Sequence, residues 1–209
     1  MNQRDRDELE DLAFAREMQR ALLPQEYPVF PVGVPASQSA VRFAHHFEPT
    51  GHIGGDLFDI IPLSQTRVAV FICDVMGHGV RAALCTGIIL GMLRQLLEET
   101  RDPARLLTRL NHRLSQILAR MPEGIFTTAF LFVLDSADGT MTYANAGHPP
   151  PLLLKKSSTD AKWLDDERTR RGAALALFPQ RYYENATIKL DEGDRILLYT
   201  DGITETLNP

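Results

Sequence analysis

The sequence predicts an α+β domain in which an antiparallel β-sandwich is flanked by helices on both sides. Short apolar runs rich in β-branched residues are separated by turn signals, as in stacked strands. Two helical patterns follow one another directly, and a series of strand patterns comes after them. This order favours an antiparallel sandwich over the alternating strands and helices of a doubly wound parallel sheet.

Length and composition fit one globular domain. The chain has 209 residues, of which 44% are hydrophobic and 23% are charged, close to the globular average. Its net charge of −5 disfavours nucleic acid as a partner. No apolar run reaches the roughly 20 residues of a membrane span, so no membrane partner is expected. Two cysteines and a charged N-terminus without a signal-peptide core predict a cytoplasmic protein.

The first part of the chain is predicted to hold one helix and three strands. Apolar residues recur every three or four positions from Leu9 to Leu22, and Pro24 ends this helix. The apolar stripe needs a partner surface, either on its own domain or on another chain. The expected elements are a helix over residues 4–23, a proline-rich connector over 24–35, and strands over 41–47, 57–63 and 67–75.

The second part is predicted to begin with two helices. Asp102 is a suitable N-cap for the second of them, and Pro103 fits its first turn. Asp138 and Gly139 indicate a hairpin turn, and residues 192–194 indicate a last hairpin. The expected elements are helices over 80–100 and 103–120, strands over 127–134, 140–145, 149–154, 186–190 and 195–200, and a polar surface excursion over 155–171.

Three aspartates follow apolar strands or glycine turns. Asp56 comes directly after Gly54 and Gly55, Asp74 lies at the end of a buried run, and Asp201 precedes Gly202. Each could simply cap a turn, since Asp-Gly is common there. Together they could instead bind hard cations such as Mg²⁺ or Mn²⁺, which prefer oxygen ligands.

Two histidines lie in glycine-containing loops. His78 and His148 are candidates for phosphate contact or proton transfer, or they are turn residues bonded to a backbone carbonyl. No Gly-x-Ser-x-Gly elbow and no Walker A pattern occurs, and Cys73 and Cys85 fall in apolar segments typical of a core. Water activated by metal ions is therefore the best-supported route to catalysis.

Several longer motifs point to a known family. In order, they are AREMQRALLP, GGDLFD, DVMGHGVRAAL, FTTAF, YANAGHPPPLL and LLYTDGITE. They resemble the metal-dependent protein phosphatases of type 2C, and within these the bacterial branch named after SpoIIE and RsbU. The resemblance implies a four-layer αββα sandwich, two Mn²⁺ or Mg²⁺ ions, and hydrolysis of phosphoserine or phosphothreonine in a protein.

The same resemblance implies roles for particular residues. Asp74 would bridge the two ions, with the Val75 carbonyl beside it, and Asp201 would be a second direct ligand. Asp56 and Gly55 would bind the ions or support the residues that do. The implied contacts to phosphate or protons are His78, His148 and Thr200.

The sequence departs from the family pattern at three places. Met76 stands where the animal-type enzymes carry a histidine, two residues after the bridging aspartate. Ala176 stands where a glycine is expected, before Leu177 and Phe178. A further pair of aspartates is expected beyond Pro209, so we expect this chain to be truncated at its C-terminus.

The leading hypothesis is the output phosphatase of a bacterial signalling protein that regulates a sigma factor. Residues 1–24 would form a connector or regulatory helix, and residues 25–209 the phosphatase domain. Expected partners are a phosphorylated anti-sigma-factor antagonist or similar protein, an upstream sensor or receiver domain, and a second copy bound through the N-terminal helix. The alternatives are an inactive phosphatase-fold module that binds a phosphoprotein, and a hydrolase of small phosphoesters.

Overall fold

The computed structural model describes residues 3–49, 51–121, 124–158, 160–164 and 172–204. These residues form three helices, eight strands and two short 3-10 turns. The helices are α1 (Gln3–Leu22), α2 (Val80–Glu99) and α3 (Pro103–Leu118), and the turns span Ala36–Gln38 and Asp201–Ile203. The strands are β1 (Asp56–Pro62), β2 (Arg67–Val75), β3 (Thr127–Asp135), β4 (Thr140–Ala146), β5 (Leu152–Leu154), β6 (Ala161–Trp163), β7 (Ala186–Lys189) and β8 (Arg195–Leu197).

The strands form two antiparallel sheets. The larger has the order β1-β2-β3-β4-β7, and the smaller has the order β6-β5-β8. Strands β1 to β4 are neighbours in the sheet in sequence order, although α2 and α3 lie between β2 and β3 along the chain. The predicted α+β class with antiparallel sheets is confirmed.

Strand β2 shows how the layers stack, because its side chains alternate between two cores. Ala69, Phe71 and Cys73 belong to one core, which they share with buried residues of α2 and α3. Val68 and Val70 belong to the other, which also contains residues of β5 and β8. A buried strand with two apolar faces reads as a continuous apolar run, and RVAVFICDV has that form.

Helices α2 and α3 lie against the larger sheet, within one residue or two of their predicted ends. The Asp102 carboxylate caps α3 by accepting a hydrogen bond from the Arg105 amide at 2.8 Å, as the sequence predicts. By length and composition alone, α2 could cross a membrane. In this fold its buried side, including Ile89 and Leu93, is part of the core between the helices and the sheet.

Helix α1 is confirmed, but its predicted stripe is divided between two sides. Gln19 is buried and Leu12 is half-buried, and both face the domain together with Leu23 just after the helix. Met18 and Leu22 are exposed on the other side. The inner line of α1 therefore includes a polar amide that hydrophobic periodicity does not identify.

Two predictions about strands are wrong. Residues 41–47 form no strand, because β1 pairs with β2 alone among the described residues, while Val41 and Phe43 pack on the inter-sheet core. The last two strands form no hairpin: β7 pairs with β4, whereas β8 pairs with β5. The turn predicted between them is present, with the Asp194 amide donating to the Asp191 carbonyl at 3.1 Å.

A lysine links that turn to the end of β5. Lys155, which follows β5, lies 3.0 Å from Asp191 and 2.7 Å from Asp194. It also lies 3.5 Å from the Lys189 carbonyl at the end of β7, so it connects the turn to both sheets. The predicted excursion at 155–171 contains β6, which pairs with β5, while residues 159 and 165–171 lie outside the described residues.

Candidate active site

Three residues form a row across one end of the larger sheet. Asp56 at the start of β1 lies opposite Asp74 near the end of β2, and Thr128 near the start of β3 lies opposite Asp74 on the other side. Side chains at directly opposed positions of adjacent strands share a face, with Cα atoms about 4.5–5.5 Å apart. The register therefore places two carboxylates and a hydroxyl side by side.

Glycine at position 55 allows the β1 and β2 backbones to approach closely here. The Gly55 carbonyl accepts a hydrogen bond from the Val75 amide at 3.1 Å. A Cβ atom at position 55 would overlap the Val75 carbonyl oxygen. The glycine that precedes Asp56 thus keeps two backbone carbonyls next to the aspartate row.

The smaller sheet contributes to the same end of the sandwich. The Thr200 hydroxyl, three residues after β8, donates to Asp56 Oδ2 at 3.1 Å. Burial raises the pKa of the Asp56 carboxyl most, the Thr200 hydrogen bond lowers it, and the nearby Asp201 charge raises it. Asp201 therefore lies close enough to repel Asp56, and the structure brings the three predicted aspartates to one place.

His148 lies beneath this row. It is 3% exposed, its Nδ1 is 2.9 Å from the Thr128 hydroxyl, and its backbone is paired with the Asn145 amide in both directions. Its Nε2 is buried without a hydrogen bond of normal geometry, although the Tyr199 backbone is near. Burial lowers the pKa of His148 to about 4, partly opposed by the Tyr199 carbonyl. This ring is neutral at physiological pH.

His78 has the opposite environment. It lies in the exposed loop of residues 76–79 between β2 and α2, with Met76 also exposed. His78 is therefore open to solvent, whereas His148 is enclosed and contacts the Thr128 hydroxyl. Direct phosphate contact by either histidine stays a prediction.

The donor set fits a hard divalent cation. Carboxylates and backbone carbonyls supply oxygen only, and neither cysteine nor histidine points to zinc. Within the described ranges, no group of three His, Cys, Asp or Glu side chains is arranged to hold a metal ion. Mg²⁺ and Mn²⁺ nevertheless suit this oxygen-only surrounding, because Mg²⁺ retains several water ligands and needs only one or two carboxylates.

Neither cysteine is suited to act as a catalytic nucleophile. Cys73 and Cys85 are buried. Burial raises the pKa of both thiols, and for Cys73 the charges of Asp74 and Asp56 raise it further. A buried, protonated thiol is a poor nucleophile.

The departure at Ala176 has a structural counterpart. Ala176 has φ of 66°, and it is the one residue other than glycine with positive φ in the described ranges. The buried amide of Asn111 holds this loop by accepting from the Ala176 amide at 2.8 Å and donating to the Phe178 carbonyl at 2.9 Å. A glycine would adopt this backbone without strain, which explains why the family pattern has one.

The fold and this site define the class of protein. The SiaA-PP2C domain of Pseudomonas aeruginosa matches with a TM-score of 0.74 at 23% identity, over 97% of this chain and 75% of that domain. A protein of Mycobacterium tuberculosis with RsbU and RsbW domains matches with a TM-score of 0.60 at 28% identity, over 73% of this chain and 40% of that one. The fold is that of the type 2C protein phosphatases.

Within that class, the sequence identifies the family. Residues 64–209 match the family described as Stage II sporulation protein E (SpoIIE), and the chain belongs to it. The predicted family is thereby confirmed. Membership implies dependence on divalent metal ions in general.

Two relatives carry named activities. Phosphoserine phosphatase RsbP of Bacillus subtilis (strain 168) is 25% identical over 201 residues, which cover 93% of this chain and 45% of RsbP. Phosphoserine phosphatase RsbU of the same strain is 27% identical over 195 residues, covering 93% of this chain and 53% of RsbU. The chain thus spans about half the length of these two relatives.

Two residues at or beside the site escape prediction from the sequence: Thr128, which faces Asp74, and Gln19, whose side-chain amide bonds to the backbone of Gly54. Thr128 lies in the quoted FTTAF motif, and only the register of β3 against β2 shows where it faces. Gln19 lies in AREMQRALLP, where a buried amide on the inner side of a helix is the available signal. Long-range pairing decides both positions, and local patterns do not encode it.

Proposed function

We propose that this chain is a protein-serine/threonine phosphatase domain that hydrolyses phosphoserine or phosphothreonine in a regulatory protein. The observation that carries the proposal is the convergence of Asp56, Asp74 and Asp201 from two sheets at one end of the sandwich. The named activity of RsbP and RsbU supports the same reaction.

We infer that the site takes two divalent ions, Mn²⁺ or Mg²⁺. Asp74 would contact both, with the Val75 carbonyl beside it, while Asp201 and the Asp56–Gly55 pair would complete the oxygen set. When bound, the ions supply an activated water and offset the charge of the phosphoryl group.

The remaining residues position this apparatus. Thr200 orients the Asp56 carboxylate through its hydroxyl. Asp201 lies near the same carboxylate because it directly follows Thr200 in the sequence. Thr128 and His148 support the Asp74 side of the row from below. His78, on its exposed loop, is the candidate for contact with the phosphate or the departing serine oxygen.

The substrate we propose is a phosphorylated anti-sigma-factor antagonist or a similar small protein, in the cytoplasm. Residues 1–24 would connect the domain, residues 25–209, to an upstream sensor or receiver module. The named phosphoserine phosphatase activity of RsbP and RsbU, the fact that this chain covers about half of each, and the exposed outer side of α1 support this arrangement.

Helix α1 is also proposed to bind a second copy of the chain. Phe14 and Met18 are 64% and 58% exposed, and with Leu22 they form a line at every fourth residue. Replacing Phe14 and Met18 with Lys should shift sedimentation toward a monomer, whereas Ala13→Lys, at an exposed position on another face of α1, should not. Identical sedimentation of all three proteins would contradict the dimer.

Turnover of a phosphoserine protein and of an aryl phosphate, each with Mn²⁺ and with chelator, tests the function. We expect metal-dependent release of phosphate from both substrates, and Asp74→Asn should abolish it. Failure with both substrates would indicate an inactive binding module. Hydrolysis of small phosphoesters without any phosphoprotein turnover would indicate the small-molecule hydrolase.

A further inference from the structure

Gln19 links helix α1 to the turn that precedes the aspartate row. Its side chain is 4% exposed, although it lies on a helix whose other side faces solvent. The Gln19 Nε2 donates to the Gly54 carbonyl at 2.7 Å, and the Gly54 amide donates to Gln19 Oε1 at 3.1 Å. One side-chain amide therefore satisfies both backbone groups of a residue 35 positions away.

The residues directly after Gly54 belong to the site, so the contact of Gln19 is close to it along the chain. Gly55 comes next, with its carbonyl bonded to the Val75 amide, and Asp56 begins β1 directly after it. The distance along the chain from the clamped residue to the Asp56 carboxylate is two residues. A shift of Gly54 would therefore displace Asp56 and the carbonyls of Gly55 and Val75 together.

Core packing alone does not explain an amide at this position. The side of α1 that faces the domain also contains Leu12, Ala15 and the half-buried Arg16, and an apolar side chain of the size of Gln19 would pack among them. Burying an amide costs free energy unless it is hydrogen-bonded, and the bonds it makes here all go to one residue of the glycine turn. The contact therefore fixes a particular backbone rather than filling space.

We infer that Gln19 is a positioning residue for the divalent-ion site. By holding Gly54, Gln19 presents Asp56 and the carbonyls of Gly55 and Val75 to the ions. Loss of its two hydrogen bonds would therefore weaken ion binding. By linkage, ion binding favours the Gln19–Gly54 contact to the same extent.

This inference rests on the proposed metal site but not on the identity of the substrate. Gln19→Leu keeps the size of the side chain and removes both hydrogen bonds. Gln19→Glu keeps an acceptor for the Gly54 amide and places a second oxygen against the Gly54 carbonyl. Gln25→Leu is the matched control, because Gln25 donates to the carbonyls of Arg20 and Leu23 at the end of the same helix.

Three measurements decide it: Mn²⁺ binding by calorimetry, amide exchange over residues 53–56 in the metal-free protein, and phosphopeptide kinetics at several Mn²⁺ concentrations. We expect Gln19→Leu to weaken Mn²⁺ binding by roughly tenfold, in the range seen when a supporting contact to a metal ligand is lost. Exchange at Gly54 should become faster, and turnover should recover at high Mn²⁺ with an unchanged KM for the peptide. Gln25→Leu should behave as the parent protein.

Unchanged Mn²⁺ affinity in a folded Gln19→Leu protein would overturn the inference, as would equal losses in Gln25→Leu. If Gln19→Leu fails to fold, Gln19→Glu decides by the same criteria. A parent protein that binds Mn²⁺ but hydrolyses no phosphopeptide would refute the proposed function. A weaker Mn²⁺ affinity of the variant would still support the positioning role of Gln19.

Discussion

Strand β1 carries two aspartates three positions apart, and their surroundings differ completely. Asp59 is 1% exposed, and Arg94 approaches it with Nε and Nη2, both 3.0 Å from Oδ2. The Ile60 amide donates to its other oxygen at 2.9 Å. The protein itself therefore supplies the positive charge that Asp59 needs.

Asp56 has acidic neighbours instead. Asp74 lies opposite it, Asp201 raises its pKa, and the hydrogen bond from Thr200 carries no charge. A buried carboxylate requires a cation or a proton. Two aspartates on one strand therefore differ in their source of positive charge. Arg94 supplies it to Asp59, whereas Asp56 would have to take a cation from solution.

The largest expected effect is at the acidic end. Asp74→Asn should lower metal-dependent phosphatase activity by at least about a hundredfold, because the amide removes the charge shared by both ions. Circular dichroism should show an intact fold. A variant with a tenth of the parent activity would contradict the assignment of Asp74 as the bridge.

Asp56→Asn should separate activity from stability. We expect Mn²⁺ affinity to fall about tenfold or more, while the metal-free protein becomes as stable as the parent or slightly more stable. The reason is that the substitution removes a half-buried charge repelled by Asp201. Calorimetric titration and thermal melting without metal measure the two effects. A clear loss of metal-free stability would show that the Asp56 carboxylate stabilises the metal-free fold, as Asp59 does.

Arg94→Leu should give the reverse result. Removing the partner of a buried carboxylate usually costs 3–5 kcal/mol, and we expect about 2 kcal/mol because the Arg94 side chain is 61% exposed and therefore screened. Mn²⁺ affinity should not change. Arg94 and Arg101 both line a cleft beside Ile60 and Glu98, so Arg101→Leu, at an exposed position, is the control for loss of charge.

His148 should make stability depend on pH in mildly acidic solution. Its pKa is about 4 when folded, against an ordinary value of 6.5, so the unfolded chain binds more protons between these values. Stability is therefore lost as pH falls from 6.5 toward 4, by about 1–2 kcal/mol between pH 7 and 5. His148→Gln should flatten this part of the curve in urea titrations, and an equally steep curve would show that other groups cause it.

Thiol reagents should have the smallest effect. Cys73 and Cys85 are buried and their raised pKa values disfavour the thiolate. We expect full activity after treatment of the folded protein with iodoacetamide, with mass spectrometry to confirm that neither thiol is modified. Inactivation without unfolding would indicate that a cysteine, rather than the aspartate site, takes part in the reaction.

Prediction from the sequence succeeded where local signals agree with the tertiary structure. The apolar run of β2 and the cap at Asp102 are set by neighbouring residues, and both are confirmed. The three aspartates could be selected because each follows a strand or a glycine. Their convergence needed the register of β1 against β2 and the approach of the smaller sheet, which no local pattern contains.

Failures occurred where a distant partner decides the outcome. Residues 192–194 turn as predicted, but β8 pairs with β5 and packs Ile196 on the inter-sheet core, which the turn residues do not encode. The residues around Val41 have strand-like composition, yet they pack by side chains without a ladder. The polar Gln19 interrupts the apolar stripe of α1 because its partner is a backbone 35 residues away.

The position of the aspartates on two sheets has a consequence for folding kinetics. Asp56 and Asp74 pair within the β1–β2 hairpin, whereas the Thr200 hydroxyl bonds to Asp56 across 144 positions of sequence. Contacts between sequence neighbours form faster than contacts that close long loops, so we expect the β1–β2 hairpin to form before β8 docks. Asp201 would then join the other two aspartates in the last kinetic phase, and the capacity to bind divalent ions would appear only when folding is complete.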